Sequence, residues 1–117
     1  VARLLLVDDD PDQLEIRCLI MRQAGHEVRT VASAPAALGA FDEYGCDVVV
    51  MDLRLPRAGD GIQLIRDLRA RSASLSILVL SGWPEDLSRE PEVKLVDHFL
   101  RKPVRSQALL DLINQVA

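Results

Sequence analysis

Leu4-Leu5-Leu6-Val7-Asp8-Asp9-Asp10 decides the fold of this chain, because four apolar residues run straight into three adjacent carboxylates. The apolar half shows no alternation with polar residues, so it reads as a strand buried on both faces. Nothing about a buried strand calls for three negative charges at its end. Packed there they repel one another, and partial desolvation adds a further cost. Such a cluster is expected where something neutralises it, most often a hard divalent cation.

Outward from this stretch the same pattern recurs. Val48-Val49-Val50-Met51 ends in Asp52, Ile77-Leu78-Val79-Leu80 ends in Ser81, and Phe99-Leu100-Arg101 ends in Lys102. Strands are expected at 3–7, 27–31, 47–51, 76–80 and 98–100, the second being more polar, as edge strands often are. Helical patterns lie between them. Residues 12–24 carry Leu14, Cys18 and Met21 on one face, widened by Ile16, Leu19 and Ile20, and stop at Gly25. Ser33 caps a second helix that runs through Phe41, with Pro35 in its first turn. A third helix is expected over 61–71, with Ile62, Ile65 and Leu68 on one side. A fifth is expected over 106–116, with Leu109, Leu112, Ile113 and Val116 at helical spacing. Pro84 can open a fourth helix, but Pro91 interrupts it, so a short or irregular helix is expected there. Five strand–helix units imply an α/β fold with a parallel sheet covered on both faces. Ligands of such sheets bind at the carboxyl ends of the strands, where Asp8, Asp9, Asp52, Ser81 and Lys102 all fall.

Composition narrows the function. The 117 residues suit one domain, and 49% hydrophobic content supplies a core. A net charge of −4 and only 3% aromatic residues argue against direct nucleic-acid binding, which needs a basic surface and stacking platforms. No apolar run approaches the length of a membrane span, and no signal peptide is visible. Cys18 and Cys46 lack metal or redox spacing and read as reduced, buried thiols of a cytoplasmic protein. Lys occurs only at positions 94 and 102, so a Lys at a strand end carries weight. The chain begins with Val and stops as its last helical pattern ends. Residues 1–117 are therefore expected to be one domain cut from a longer protein.

Two or three converging carboxylates without His or Cys suit Mg²⁺ better than Zn²⁺. A carboxylate-held cation beside a hydroxyl and an ammonium can cradle a phosphoryl group, and an in-line Asp can attack phosphorus to form a labile acyl phosphate. Taken in order, Val7-Asp8-Asp9-Asp10-Pro11, Val50-Met51-Asp52-Leu53-Arg54-Leu55-Pro56, Leu80-Ser81-Gly82 and Arg101-Lys102-Pro103 resemble the receiver domain of two-component response regulators. The resemblance covers essentially the whole chain. It implies a flavodoxin-like, doubly wound (βα)5 fold with strand order 2-1-3-4-5.

The resemblance also implies roles. Asp52 would be the phosphoacceptor. Asp9 would ligate Mg²⁺ directly, Asp8 mainly through water, Asp52 as a third ligand, and the backbone carbonyl of Arg54 would complete the protein's share. Ser81 would hydrogen-bond the phosphoryl group, Lys102 would pair with it, and Phe99 would be the aromatic switch residue that follows Ser81 inward. The Lys102–Pro103 peptide would be cis. The donor would be a phosphohistidine on a sensor histidine kinase or histidine phosphotransfer protein. The face made by the fourth helix, fifth strand and fifth helix would change on phosphorylation and could support a homodimer. Such a domain catalyses only its own phosphorylation and dephosphorylation, and acts on no external metabolite.

Some features depart from the family pattern. Arg57-Ala58-Gly59-Asp60 adds one residue before Gly61, so a bulged loop is expected near the site. Arg54 and Trp83, two residues after Asp52 and Ser81, would border the path of hydrolytic water and slow dephosphorylation. Other residues have plainer readings: Asp10 as a solvated helix start, His26 and His98 as surface or packing groups, Trp83 as a hydrophobic cover, and Arg66, Arg69 and Arg71 as a solvated face with Asp67. Two alternatives remain at this level. One is a docking module that keeps the acid pocket without phosphotransfer. The other is a haloacid dehalogenase-type phosphatase using Asp8 as nucleophile, which lacks an obvious downstream acidic pair.

Overall fold

The strands form where short runs of Val, Leu and Ile can be buried from both sides. In the computed structural model, which describes residues 1–117, they are β1 (Arg3–Val7), β2 (Glu27–Val31), β3 (Val48–Asp52), β4 (Ser76–Ser81) and β5 (His98–Arg101). All pair in parallel, in the order β2-β1-β3-β4-β5, as the resemblance implies. The helices are α1 (Pro11–Gln23), α2 (Ala34–Tyr44), α3 (Ala58–Arg71), α4 (Glu85–Ser88) and α5 (Ser106–Val116). No helix is long and apolar enough to cross a membrane.

The period-two alternation of each strand divides the core between the two sheet faces. Leu5, Val7, Val49, Met51, Ile77 and Val79 face α2 and α3, where they meet Leu64, Ile65 and Leu68. Leu4, Leu6, Val48, Val50, Leu78 and Leu80 face the other way, toward Met21 of α1 and Leu109 and Ile113 of α5. Each such fully buried aliphatic side chain contributes about 1.5–3 kcal/mol.

Helix boundaries follow local chemistry. The carboxylate of Asp10 accepts from the backbone N–H groups of Asp12 and Gln13 at 3.0 and 3.4 Å and so caps α1. Gly25, at φ +93°, closes its far end in a conformation that L side chains rarely adopt. Ser33 Oγ accepts from Ala36 N–H at 3.2 Å at the start of α2.

Several expectations need correction. Ile16 and Leu19 do not widen the buried face of α1; they are 53% and 60% exposed. At 100° per residue they fall outside the stripe of Leu14, Cys18 and Met21, and Arg17 occupies that stripe instead. The two thiols are free but only half-buried. The extra residue after Pro56 does not bulge: α3 starts at Ala58, three residues before Gly61, and absorbs it as a helical turn. That turn presses Gly61 against β3, where an added Cβ would lie 1.9 Å from the carbonyl oxygen of Leu53.

The fourth helix is short, as Pro91 foretold: one turn of α4 followed by a 3₁₀ segment, Pro91–Leu95. Of the arginines of α3, Arg66 and Arg71 are exposed, as expected, whereas Arg69 is half-buried, and all three are engaged rather than free. Arg66 binds the carboxylate of Glu92 through two of its nitrogens. Arg69 donates to the carbonyls of Leu75 and Leu95 and to Asp97, at 2.6, 2.7 and 3.0 Å. Arg71 reaches Asp42 of α2 at 2.8 Å. Guanidinium groups hold in place the irregular segment that helical hydrogen bonds cannot.

Candidate functional site

The carboxyl ends of β1 and β3 are adjacent in the sheet, with Val7 in register with Met51. The next residue of each strand therefore carries its side chain to the same edge. Candidate ligand oxygens of Asp8, Asp9 and Asp52 all lie within 4.8 Å of one another. Asp8 is buried, Asp52 half-buried and Asp9 exposed, so the cluster opens to solvent on one side. Oxygen donors at this separation, with no His or Cys among them, fit a hard cation such as Mg²⁺.

From the other half of the sheet, β5 delivers Lys102, whose ammonium sits 2.9 Å from Asp52 Oδ1. The backbone N–H of Lys102 donates to the carbonyl of Ser81 at 2.9 Å and ties the strand ends together. The Lys102–Pro103 peptide is cis, as the resemblance implies; Leu55–Pro56 is cis as well, which the sequence did not suggest. Burial pushes the Asp52 carboxyl above its ordinary range; Lys102 opposes this by hydrogen bond and charge, and Asp8 adds to it.

Ser81 is buried and engaged with its own loop. Its hydroxyl oxygen accepts from Trp83 N–H at 3.0 Å. A hydroxyl has one donor and two acceptor positions, so it can hold this contact and still donate elsewhere. Phe99 is half-buried, in register with Val79, and packs against the core on the α3 side of the sheet.

Two features were missed by sequence reasoning. The first is Arg17, whose guanidinium lies 3.0 Å from Asp8 Oδ2 with both side chains almost wholly buried. Asp8 Oδ1 accepts from Asp10 N–H at 2.9 Å, so both oxygens of Asp8 already have partners. Its signal was present: Arg17 stands three residues after Leu14 and four before Met21, on the buried stripe. The second is a clasp beside Ser81, between the loops that follow Asp52 and Ser81. Arg54 makes a two-point contact with Asp86 of α4, at 2.8 and 3.4 Å, and its guanidinium stacks 3.6 Å from the Trp83 ring centroid. Trp83 is therefore a partner of Arg54 rather than a plain cover. The clasp joins the loops after β3 and β4, and no sequence pattern links residues 32 apart.

Comparison with known proteins places this geometry. The family model of the response regulator receiver domain matches residues 4–114. Sensory transduction protein RegX3 of Mycobacterium tuberculosis is 30% identical over 117 residues, covering 99% of this chain and 51% of RegX3. Transcriptional regulatory protein GlrR of Escherichia coli is 31% identical over 116 residues, covering 97% of this chain and 26% of GlrR. The chain thus spans about half the length of RegX3 and about a quarter of GlrR. Among solved structures, the chemotaxis response regulator CheY4 of Vibrio cholerae superposes with a TM-score of 0.86 at 26% identity, covering 100% of this chain and 99% of CheY4. A receiver domain protein from Clostridium thermocellum gives a TM-score of 0.88 at 26% identity, covering 99% and 94%.

Proposed function

Because the chain belongs to the response regulator receiver domain family, we propose that it is a working phosphoacceptor, taking a phosphoryl group from a phosphohistidine onto Asp52. The observation that carries this reading is the juxtaposition of Asp52 with Lys102 at 2.9 Å and with Asp8 and Asp9 within 4.8 Å. An Asp52 carboxylate oxygen forms the new P–O bond while the P–N bond to the donor imidazole breaks and its electron pair returns to nitrogen. Asp9 and Asp52 would hold Mg²⁺ directly, Asp8 mainly through water, with the Arg54 carbonyl completing the protein's share. When bound, the cation neutralises charge on the phosphoryl oxygens. Lys102 then turns from Asp52 to a phosphoryl oxygen, and the Ser81 hydroxyl donates to another.

Movement of Ser81 pulls on Trp83 through their 3.0 Å contact and gives Phe99 room to turn inward. The packing of α4, β5 and α5 changes in consequence, which supplies a switched face for a partner or a second copy. The donor is a sensor histidine kinase or a histidine phosphotransfer protein, which places the domain in the cytoplasm. No external metabolite is turned over. One observation favours a second reading, a docking domain without phosphotransfer: Arg17 already neutralises Asp8.

The two readings separate on binding of beryllofluoride with Mg²⁺, followed by amide chemical shifts. The phosphoacceptor reading expects saturable, Mg²⁺-dependent shifts at Ser81, Phe99 and Lys102 that vanish in Asp52→Asn. No shifts in the wild type would overturn it.

A further inference from the structure

We propose that Arg17 is a built-in counter-cation that competes with the divalent ion for Asp8, holding the metal affinity of the resting site down. The inference rests on the metal site proposed above. Three carboxylates face two side-chain cations: Arg17 on Asp8 and Lys102 on Asp52. The resting site therefore carries a single net negative charge where an unopposed cluster would carry three. Asp8 is also sterically committed, since Arg17 takes one oxygen and the Asp10 N–H takes the other.

A divalent ion ligated directly by Asp8 would lie within about 5 Å of the Arg17 guanidinium. Two positive groups that close repel strongly, so the ion pair must loosen or Asp8 must act at one remove, through water. Room for Arg17 to withdraw exists. An open cleft of about 490 Å³ adjoins it, lined by Asp10, Gln13, Lys102, Pro103 and Val104. A phosphoryl group on Asp52 would add negative charge to the site and so relieve the same repulsion. Arg17 therefore makes the resting site a poor metal binder and the phosphorylated site a good one.

The test is Mg²⁺ affinity by isothermal titration calorimetry on wild type, Arg17→Met and Arg17→Lys, with melting temperature measured alongside. Arg17→Met should bind Mg²⁺ about tenfold tighter or more, the Coulomb scale for a unit charge this near a divalent ion even at an aqueous dielectric. Its metal-free form should melt lower, with Asp8 left unpaired, and recover in Mg²⁺; a purely structural ion pair would give no such recovery. Arg17→Lys should stay near wild type. Unchanged or weaker binding in folded Arg17→Met would overturn the inference while leaving the metal site intact. Absence of Mg²⁺ binding in every variant would instead overturn the metal site itself, and the inference with it. Should Arg17→Met not fold, the side-chain Nε–H resonance of Arg17 in the wild type decides. It should shift as Mg²⁺ is added, and a resonance unmoved at saturation would refute competition.

Discussion

Two glycines on one helix, two residues apart, should respond to the same substitution with opposite signs. Alanine at Gly61 would place its Cβ 1.9 Å from the Leu53 carbonyl oxygen and 2.7 Å from its carbonyl carbon, whereas at Gly59 an added Cβ meets nothing within 4 Å. The obstacle at Gly61 is backbone, so no side chain can rotate away, and α3 or β3 must shift by more than an ångström. Overpacking of this kind costs about 3 kcal/mol, the upper end of the usual range. Exchanging Gly for Ala in a helix gains about 1 kcal/mol at either position. The net expectation is a loss of about 2 kcal/mol for Gly61→Ala, or about 8 °C in Tm for a domain of this size. Gly59→Ala should instead hold or raise Tm. Thermal unfolding by far-ultraviolet circular dichroism reads both. Leu53 directly follows Asp52, so Gly61→Ala should also slow phosphorylation of whatever protein remains folded. A Gly61→Ala protein melting within about 2 °C of wild type would refute the reasoning, because the α3–β3 contact would then be slack.

The clasp predicts kinetics: Asp86→Ala frees Arg54, and Arg54→Ala with Trp83→Ala removes both bulky side chains, so each should shorten the phosphoryl lifetime, Asp86→Ala by about two- to fivefold given the worth of a partly exposed ion pair. An unchanged lifetime in both would dismiss the clasp as a barrier to water. Asp52 predicts a pH dependence. Its folded pKa lies above the ordinary 3.8, so between the two values the folded state keeps a proton that the unfolded state has released, and stability falls as pH rises. In metal-free buffer Asp52→Asn should therefore melt above wild type at pH 7, and the gap should narrow as pH falls toward the ordinary value. A gap that widens toward acid would reverse the sign of the account. Cys46, pushed up to about 12 chiefly by burial and further by Asp47, should resist alkylation at pH 8 in the folded protein, as mass spectrometry of iodoacetamide-treated samples can check.

The alternation of strands and helices and the convergence of Asp8, Asp9, Asp52 and Lys102 at strand ends were legible because each depends on short-range pattern, whereas the strand order came only from the family resemblance. A short, β-branched apolar run of four or five residues suits a doubly buried strand, and a polar residue at its end then emerges at the sheet edge. What escaped was long-range. Ile16 and Leu19 look apolar enough for the core, yet the sheet admits only one stripe of α1. Arg17 sits on that stripe because Asp8 offers it a buried partner, a fact about distance rather than composition. The arginines of α3 were legible as an outward face, but not that Arg66 and Arg69 would meet Glu92, Leu95 and Asp97 in and after the 3₁₀ segment. The clasp of Arg54, Trp83 and Asp86 likewise depends on where two loops come to rest. Gly61 was visible as a helix opener, but its contact with Leu53 required the helix to begin a turn earlier.

Asp52 is proposed to accept a phosphoryl group with Mg²⁺ as cofactor. Intact mass after incubation with acetyl phosphate and Mg²⁺ tests it most directly, on wild type and Asp52→Asn. One base-labile phosphoryl adduct is expected on the wild type, absent without Mg²⁺ and absent in the variant. A wild type that stays unmodified while binding Mg²⁺, or an adduct that persists in Asp52→Asn, would contradict it.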